Sequence, residues 1–465
     1  MGGIVPREPA FAKGSLQVRA TRKGNRSAIG ALTLIVAAIH AHGWTTGCPL
    51  VWADDVSELK SQMQEMREEI KVLRQEVQTL RAGRGGGGDA QVGTQLPAGE
   101  QAAPSAAVLH LPSGLKDVQF SGFVDTSYTY NFNGPNNRAN AFRVFDTRAQ
   151  DFMINNVELV VEKPVSSEDP LGFRTDLQFG SDPEVTGAVT TGLGRGDDEL
   201  DIQQAFVEYV APLGNGLDVK FGKFVTLHGA ESTESKDNWN FSRSYLFGFA
   251  EPATHTGVRA SYAWGDWLTT TVGVNNGWDV VDDTNKGKTL ELSASITPMK
   301  SLSFSGTYMA GPEQVGDRHN ERHSITFVTQ YQPLDRLTLK ASVDYALEQD
   351  ALSEAGGGNA SWSGLAAYVK YVLTDWWSVA IRFEVFNDQD GVRTGVNAGT
   401  TSPTGSALAD LQLFEWTLTN EFRLNKHLLT RVEYRYDKAS DHVLRYGQGF
   451  SDYQNTIAVE VVAPF

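Results

Sequence analysis

The chain has 465 residues, with 40 Lys and Arg against 56 Asp and Glu, and its formal net charge of −16 argues against nucleic acid as a partner. It is 40% hydrophobic and 21% charged, with mean hydropathy −0.30. No apolar run of the about 18 residues needed for a spanning helix follows residue 53, which excludes a multi-helix membrane protein. The 46 Gly, 23 Phe, 14 Tyr and 10 Trp against only 17 Pro point to many strands with frequent turns, and a transmembrane barrel fits polar averages because half of each strand faces water.

Arg19, Arg22, Lys23 and Arg26 precede an apolar stretch from Ala28 to Ala41, and Val51-Trp52-Ala53 then offers small residues at cleavage positions. Residues 1–53 therefore read as a signal peptide with an overlong start. Cys48, the only cysteine, falls inside it, and Thr45-Thr46-Gly47-Cys48 lacks the Leu usual three residues before a lipidated cysteine. Cleavage would leave 34 basic and 55 acidic residues, a net charge of −21, and a chain with no disulfide.

Over residues 54–82 the apolar positions Val56, Leu59, Met63, Met66, Ile70, Leu73, Val77 and Leu80 alternate by threes and fours, the seam of a short coiled-coil helix. Such a stripe is buried only against other copies or another partner, so it predicts an oligomer. Residues 83–116, with Gly85 to Gly88 and scattered Pro, Ala and Gln, read as a flexible linker.

From Val118 the period becomes two. Sixteen amphipathic runs follow, at about 117–130, 150–163, 171–180, 199–211, 216–228, 254–264, 266–276, 288–297, 301–310, 322–332, 336–348, 361–373, 376–387, 411–424, 428–438 and 453–465. In the eleventh, Leu337, Leu339, Ala341, Val343, Tyr345 and Leu347 alternate with Thr338, Lys340, Ser342, Asp344 and Ala346. A two-sheet sandwich would alternate as well, and loop lengths decide between them. Tight turns such as Thr374-Asp375 alternate with long connections such as 229–253, the arrangement of a closed outer-membrane barrel with its short turns in the periplasm. Trp264, Trp267, Tyr331, Trp376 and Trp377 beside the short turns suit an interfacial girdle, and Phe465 ends the last strand facing outward. The predicted fold is all-β: a 16-stranded antiparallel transmembrane β-barrel over 117–465, preceded by the short coiled-coil helix.

Six stretches carry a resemblance: FSGFVDTSY (120–128), DFMINNVELVVEKP (151–164), GFRTDLQFG (172–180), QQAFVEY (203–209), KFGKFVTLHGAE (220–231) and NWNFSRSYLFGFAEPATHTGV (238–258). With these, residues 117–465 resemble Gram-negative outer-membrane porins, most closely the OmpL-like β-barrel porins. The resemblance implies a passive diffusion channel for small hydrophilic solutes and ions, commonly a homotrimer.

The connection 229–253 follows the fifth strand, so it is the third long loop, which in general porins folds inward and narrows the pore. Glu231, Glu234, Asp237 and Arg243 are its candidate constriction residues. Lys340, Lys370, Arg382, Arg423, Arg431 and Arg435 fall on inward positions, either as a basic wall facing that loop or paired with Asp344, Glu384, Glu415, Glu421 and Glu433. The mature charge suggests mild cation preference.

The barrel histidines, His228, His255, His319, His323, His427 and His442, show no catalytic or metal-ligand spacing, so neither an enzyme nor a cofactor is expected. The expected location is the outer membrane, with lipid around the barrel and the N-terminal helix in the periplasm, where it could contact the cell wall. The competing functions are a structural or adhesive barrel with a plugged lumen, and a substrate-specific channel for sugars or anions.

Overall fold

The computed structural model describes residues 117–186, 200–352, 357–396 and 410–465. The chain divides into two units, 1–101 and 102–465. The signal peptide, the heptad seam from Val56 to Leu80 and the linker all lie outside the described residues.

Fifteen strands follow one another: β1 (Gln119–Asn131), β2 (Asp151–Lys163), β3 (Leu171–Phe179), β4 (Leu200–Ala211), β5 (Leu217–Val225), β6 (Thr254–Gly265), β7 (Leu268–Asn275), β8 (Thr289–Met299), β9 (Leu302–Pro312), β10 (Glu321–Leu334), β11 (Leu337–Glu348), β12 (Ala360–Thr374), β13 (Trp377–Asp388), β14 (Leu411–Asn425) and β15 (Leu428–Ala439). A small hairpin, β16 (Leu444–Tyr446) and β17 (Gly449–Ser451), precedes β18 (Tyr453–Pro464). Each strand pairs antiparallel with its neighbour in sequence, and β18 closes the ring against both β15 and β1, giving a closed barrel of sixteen strands. The hairpin stands apart as its own two-stranded sheet inside what the sequence reads as a plain loop.

The closure is tight at Gly122. A Cβ there would lie 2.6 Å from the Phe465 ring and 2.1 Å from the Glu158 carbonyl oxygen, so only glycine lets the terminal aromatic lie across the β1 seam. Gly122 and Phe465 also exchange both backbone hydrogen bonds, at 3.2 and 2.9 Å.

Alternation divides the strands into two chemistries. Phe152, Phe327, Phe383, Val343 and Val459 stand exposed on the outside, whereas Asp125, Arg382, Glu415, Arg431 and Glu460 on the inside are buried. Charges inside an apolar exterior are the reverse of a soluble protein and fit a lipid-embedded wall. Exposed Trp264, Trp267, Tyr331 and Trp376 ring the short-turn end, and Tyr130, Phe132, Phe152, Tyr345 and Tyr446 ring the long-loop end, so an aromatic girdle marks each membrane interface. Among the described residues no helix is long and apolar enough to cross a membrane.

The apolar core lies inside the barrel toward the long-loop end. Tyr245, Leu246 and Ala250 of the third loop pack there with Trp278, Met309, Trp362, Phe386, Leu411 and Leu413.

Candidate functional site

The third loop, residues 226–253, leaves β5 and turns into the lumen instead of out to solvent. Its start is fixed by Gly229, whose φ of +80° suits glycine, and by His228 Nε2, which lies 3.1 Å from Ser324 Oγ on β10. A strand inside a barrel has ladder partners, but an irregular segment there has none, so its backbone groups must find partners elsewhere. Charged side chains of the wall supply them.

Glu433 on β15 accepts from the backbone N–H of Phe241 at 2.7 Å and of Ser242 at 3.0 Å. Glu384 on β13 accepts in the same way from Tyr245 at 2.7 Å and Leu246 at 2.5 Å. Three arginines serve the carbonyls: Arg382 donates to Ser242 O at 2.6 Å, Arg435 to Arg243 O at 2.6 Å, and Arg431 to Ser235 O at 2.9 Å and Asn238 O at 2.7 Å. Ser235 Oγ also donates to Glu460 on β18.

The wall arginines are themselves paired. Arg382 meets Glu415 at 2.7 Å, Arg431 meets Glu460 at 2.9 Å and Glu421 at 3.0 Å, and Arg435 meets Asp437 at 2.8 Å. The side chains of Arg382 and Arg431 are 0% exposed and that of Arg435 is 1% exposed. These three therefore do not stand as a row of cations facing an open passage; they lie under the loop and hold it. Lys340 reaches Ala230 O at 3.0 Å and stacks over the Trp239 ring, and Lys370 pairs with Glu421 at 3.1 Å. Arg423 stays exposed near the short-turn end, 3.9 Å from Glu421.

The four candidate constriction residues part company. Glu231 is turned into the wall, 2.7 Å from Arg382, and accepts from the Ser244 N–H at 2.7 Å. Burial alone would push its carboxyl up, but the Arg382 guanidinium and that N–H outweigh it and hold it below the usual carboxylate range. Glu234 is buried and accepts from the hydroxyls of Ser232 and Thr233. Arg243 is buried, pairs with Asp182 at 3.1 Å and donates to Phe241 O at 3.0 Å. Asp237 alone is open, its side chain 55% exposed beside Lys236 at 2.5 Å.

Sequence reasoning missed two parts of the site. One is the first long loop, where Arg143 bridges Asp146 and Asp437 while the Phe145 ring packs tilted against Phe247 at 5.7 Å. The other is the wall's side of the apolar packing: the sequence suggests that Trp239, Phe241, Tyr245 and Phe247 pack against the wall, but not that Leu246 sits against Gly364, Phe249 stacks on Phe386 at 5.9 Å, and Trp362 Nε1 donates to Ala250 O at 3.2 Å. The available signal was apolar residues on inward positions of the last strands, Trp362, Phe386, Leu411 and Leu413, where a wet lumen calls for polar ones.

His228 gives the docking a pH dependence. Burial pushes its imidazole down to about 3, with His255 adding to the shift. A folded-state value below the ordinary about 6.5 means its contribution is complete above that pH and is lost as pH falls toward 3. Wild-type barrel should thus lose thermal stability between pH 6.5 and 3 more steeply than His228→Asn, measured by the temperature of heat modification on gels. Parallel curves would contradict the assignment.

A closed sixteen-stranded antiparallel barrel with an apolar exterior, charged interior and inward-folded third loop is the architecture of outer-membrane porins. The family described as putative beta-barrel porin-2, OmpL-like, matches residues 117–465, and the chain belongs to it. No curated protein matches the chain in sequence. Among solved structures, OprB of Pseudomonas putida is similar in fold at 14% identity and TM-score 0.52, covering 76% of this chain and 96% of its own. An anion-selective porin from Comamonas acidovorans has 12% identity and TM-score 0.51, over 75% of this chain and 99% of its own. The outer membrane channel DcaP of Acinetobacter baumannii has 14% identity and TM-score 0.50, over 75% and 97%. Family and fold support an outer-membrane location.

Proposed function

We propose that the chain is a channel for passive diffusion of small hydrophilic solutes and ions across the outer membrane, narrowed by the third loop pinned to the β13–β15 and β18 wall. The observation that carries this reading is the pinning itself: a loop held inside the barrel by Arg382, Arg431, Arg435, Glu384 and Glu433 is a fixed constriction. Assembly as a homotrimer, oligomerisation through the seam from Val56 to Leu80, lipid around the barrel and contact of the N-terminal helix with the cell wall belong to the same proposal.

Sign selectivity in this reading is a mild cation preference from the overall acidity, to which Asp237 is the one exposed contributor among the four loop candidates, offset in part by Lys236 beside it. Glu231 and Glu234 contribute little, being turned into the wall, and the accessible pairs Glu162 with Arg174 and Glu208 with Lys220 balance each other at 3.4 Å each. Reversal potential under a KCl gradient tests this. Asp237→Asn should move the potential toward zero by nearly as much as Glu231→Gln, Glu234→Gln and Asp237→Asn combined. No movement with either variant would remove the loop from the selectivity-determining region.

A further inference from the structure

Resting on the channel reading above, we infer that the solutes this passage favours are small uncharged polyols and sugars, carried along a hydroxyl-lined wall of β6 to β10. Registers set inward hydroxyls side by side: Ser261 faces Thr271, Thr271 faces Ser293, Ser293 faces Thr307 and Thr307 faces Thr326. A second row, Thr269, Ser295 and Ser305, runs beside it. Their direction is fixed by Thr307 Oγ1, which donates to Leu227 O of the third loop at 3.1 Å, while Leu292, Ile296 and Phe304 between them stand exposed on the outside.

The rows differ in what their hydroxyls do. Ser261 bonds Thr271 and Ser293 bonds Thr307, both at 2.9 Å, which occupies these four hydroxyls of the upper row within the protein. Thr269, Ser295, Ser303 and Ser305 are accessible and have no side-chain partner among the described residues, so they are offered to the lumen.

An independent observation is the chemistry facing them. The nearby start of the third loop presents Leu227, 37% exposed, with half-buried Gly229, Ala230 and Ser232, and its carboxylate Glu231 is turned away to Arg382. Lys340, at the far edge of the wall, is occupied by Ala230 O and the Trp239 ring. The inward charges of β6 to β10 are paired or buried, as Arg259 is with Glu291, and carboxylates stand only at the edges of this flank, half-buried Asp218 opposite Ser261 and buried Asp344 opposite Thr326.

A hydroxyl both donates and accepts, so a solute hydroxyl exchanges water for the wall with little net change. An ion passing along the middle of this flank, β7 to β9, sheds hydration with no unpaired opposite charge on those strands to offset the loss. The wall thus discriminates by charge of either sign and not by cation against anion.

The test compares glucose, gluconate and glucosamine in swelling assays on proteoliposomes holding the mature protein, with KCl conductance measured on the same preparations. Wild type should admit glucose severalfold faster than either charged analogue. A triple variant, Ser295→Val, Ser303→Val and Ser305→Val, should slow glucose severalfold and leave KCl conductance unchanged, while Thr at the same three positions keeps the wild-type rate. None of the three hydroxyls bonds to protein, so heat-modifiable folding should be retained. Equal entry of the three solutes into wild-type vesicles, or a parallel fall of glucose and KCl flux in the Val variant, would overturn the inference. Absence of KCl conductance from folded wild type would overturn the channel reading beneath it.

Discussion

Arg382→Met should free the third loop from its wall, raise single-channel conductance and lower the temperature at which the barrel unfolds. The Arg382 side chain is 0% exposed and bonds Glu415, Glu231 and Ser242 O, so its loss takes the ion-pair partner from Glu231, leaves Glu415 with only Arg435 at 3.5 Å, and unpairs a loop carbonyl at once. Removing one partner of a buried ion pair costs about 3–5 kcal/mol, because the remaining charge is left uncompensated. Here the cheapest relief is for the loop to swing away and let water reach Glu415. The change should therefore appear as wider, noisier openings. Heat modification and single-channel recording together check it, and unchanged values in both would mean that Arg382 does not hold the loop.

The second large effect is steric. A Cβ on Gly364 would meet Leu246 Cδ2 at 2.3 Å and the Val385 carbonyl oxygen at 2.7 Å, so Gly364→Val cannot coexist with the observed seat of the loop. Overpacking of a well-filled core costs about 1–3 kcal/mol. The flexible neighbour in this case is a loop side chain, with strand backbone behind it, so the loop yields first. Gly364→Val should raise conductance as Arg382→Met does, with a smaller drop in thermal stability because no charge is stranded. Combining Gly364→Val with Leu246→Ala should bring conductance back toward wild type; failure of that rescue would show that Gly364 acts through the β12 and β13 backbone.

The barrel was legible because its physics is periodic. Alternation placed Val379, Ile381, Phe383 and Val385 outward and Arg382 and Glu384 inward, and the sixteen observed strands occupy the expected stretches. The fifth strand was read to residue 228 but ends at Val225, since Thr226 to Gly229 are recruited into the inward turn by Ser324 and a left-handed glycine. The hairpin Leu444–Tyr446 with Gly449–Ser451 escaped because three-residue strands carry no period to detect.

The site was less legible. Charge on Glu231, Arg243, Arg382, Arg431 and Arg435 marked the right segments, but alternation gives a side, not a depth, and cannot distinguish a cation facing water from one capping a buried carbonyl. That distinction depends on where a loop lands, which is set by contacts between residues over a hundred positions apart, such as Arg382 with Ser242.

The most direct test of the whole account is single-channel recording of the purified, membrane-inserted protein in planar bilayers with KCl. Discrete, long-lived openings from heat-modifiable protein, grouped in threes if the protomers assemble as proposed, are the predicted result. Silence from correctly folded barrel would contradict it and leave the pinned loop as the plug of a structural barrel.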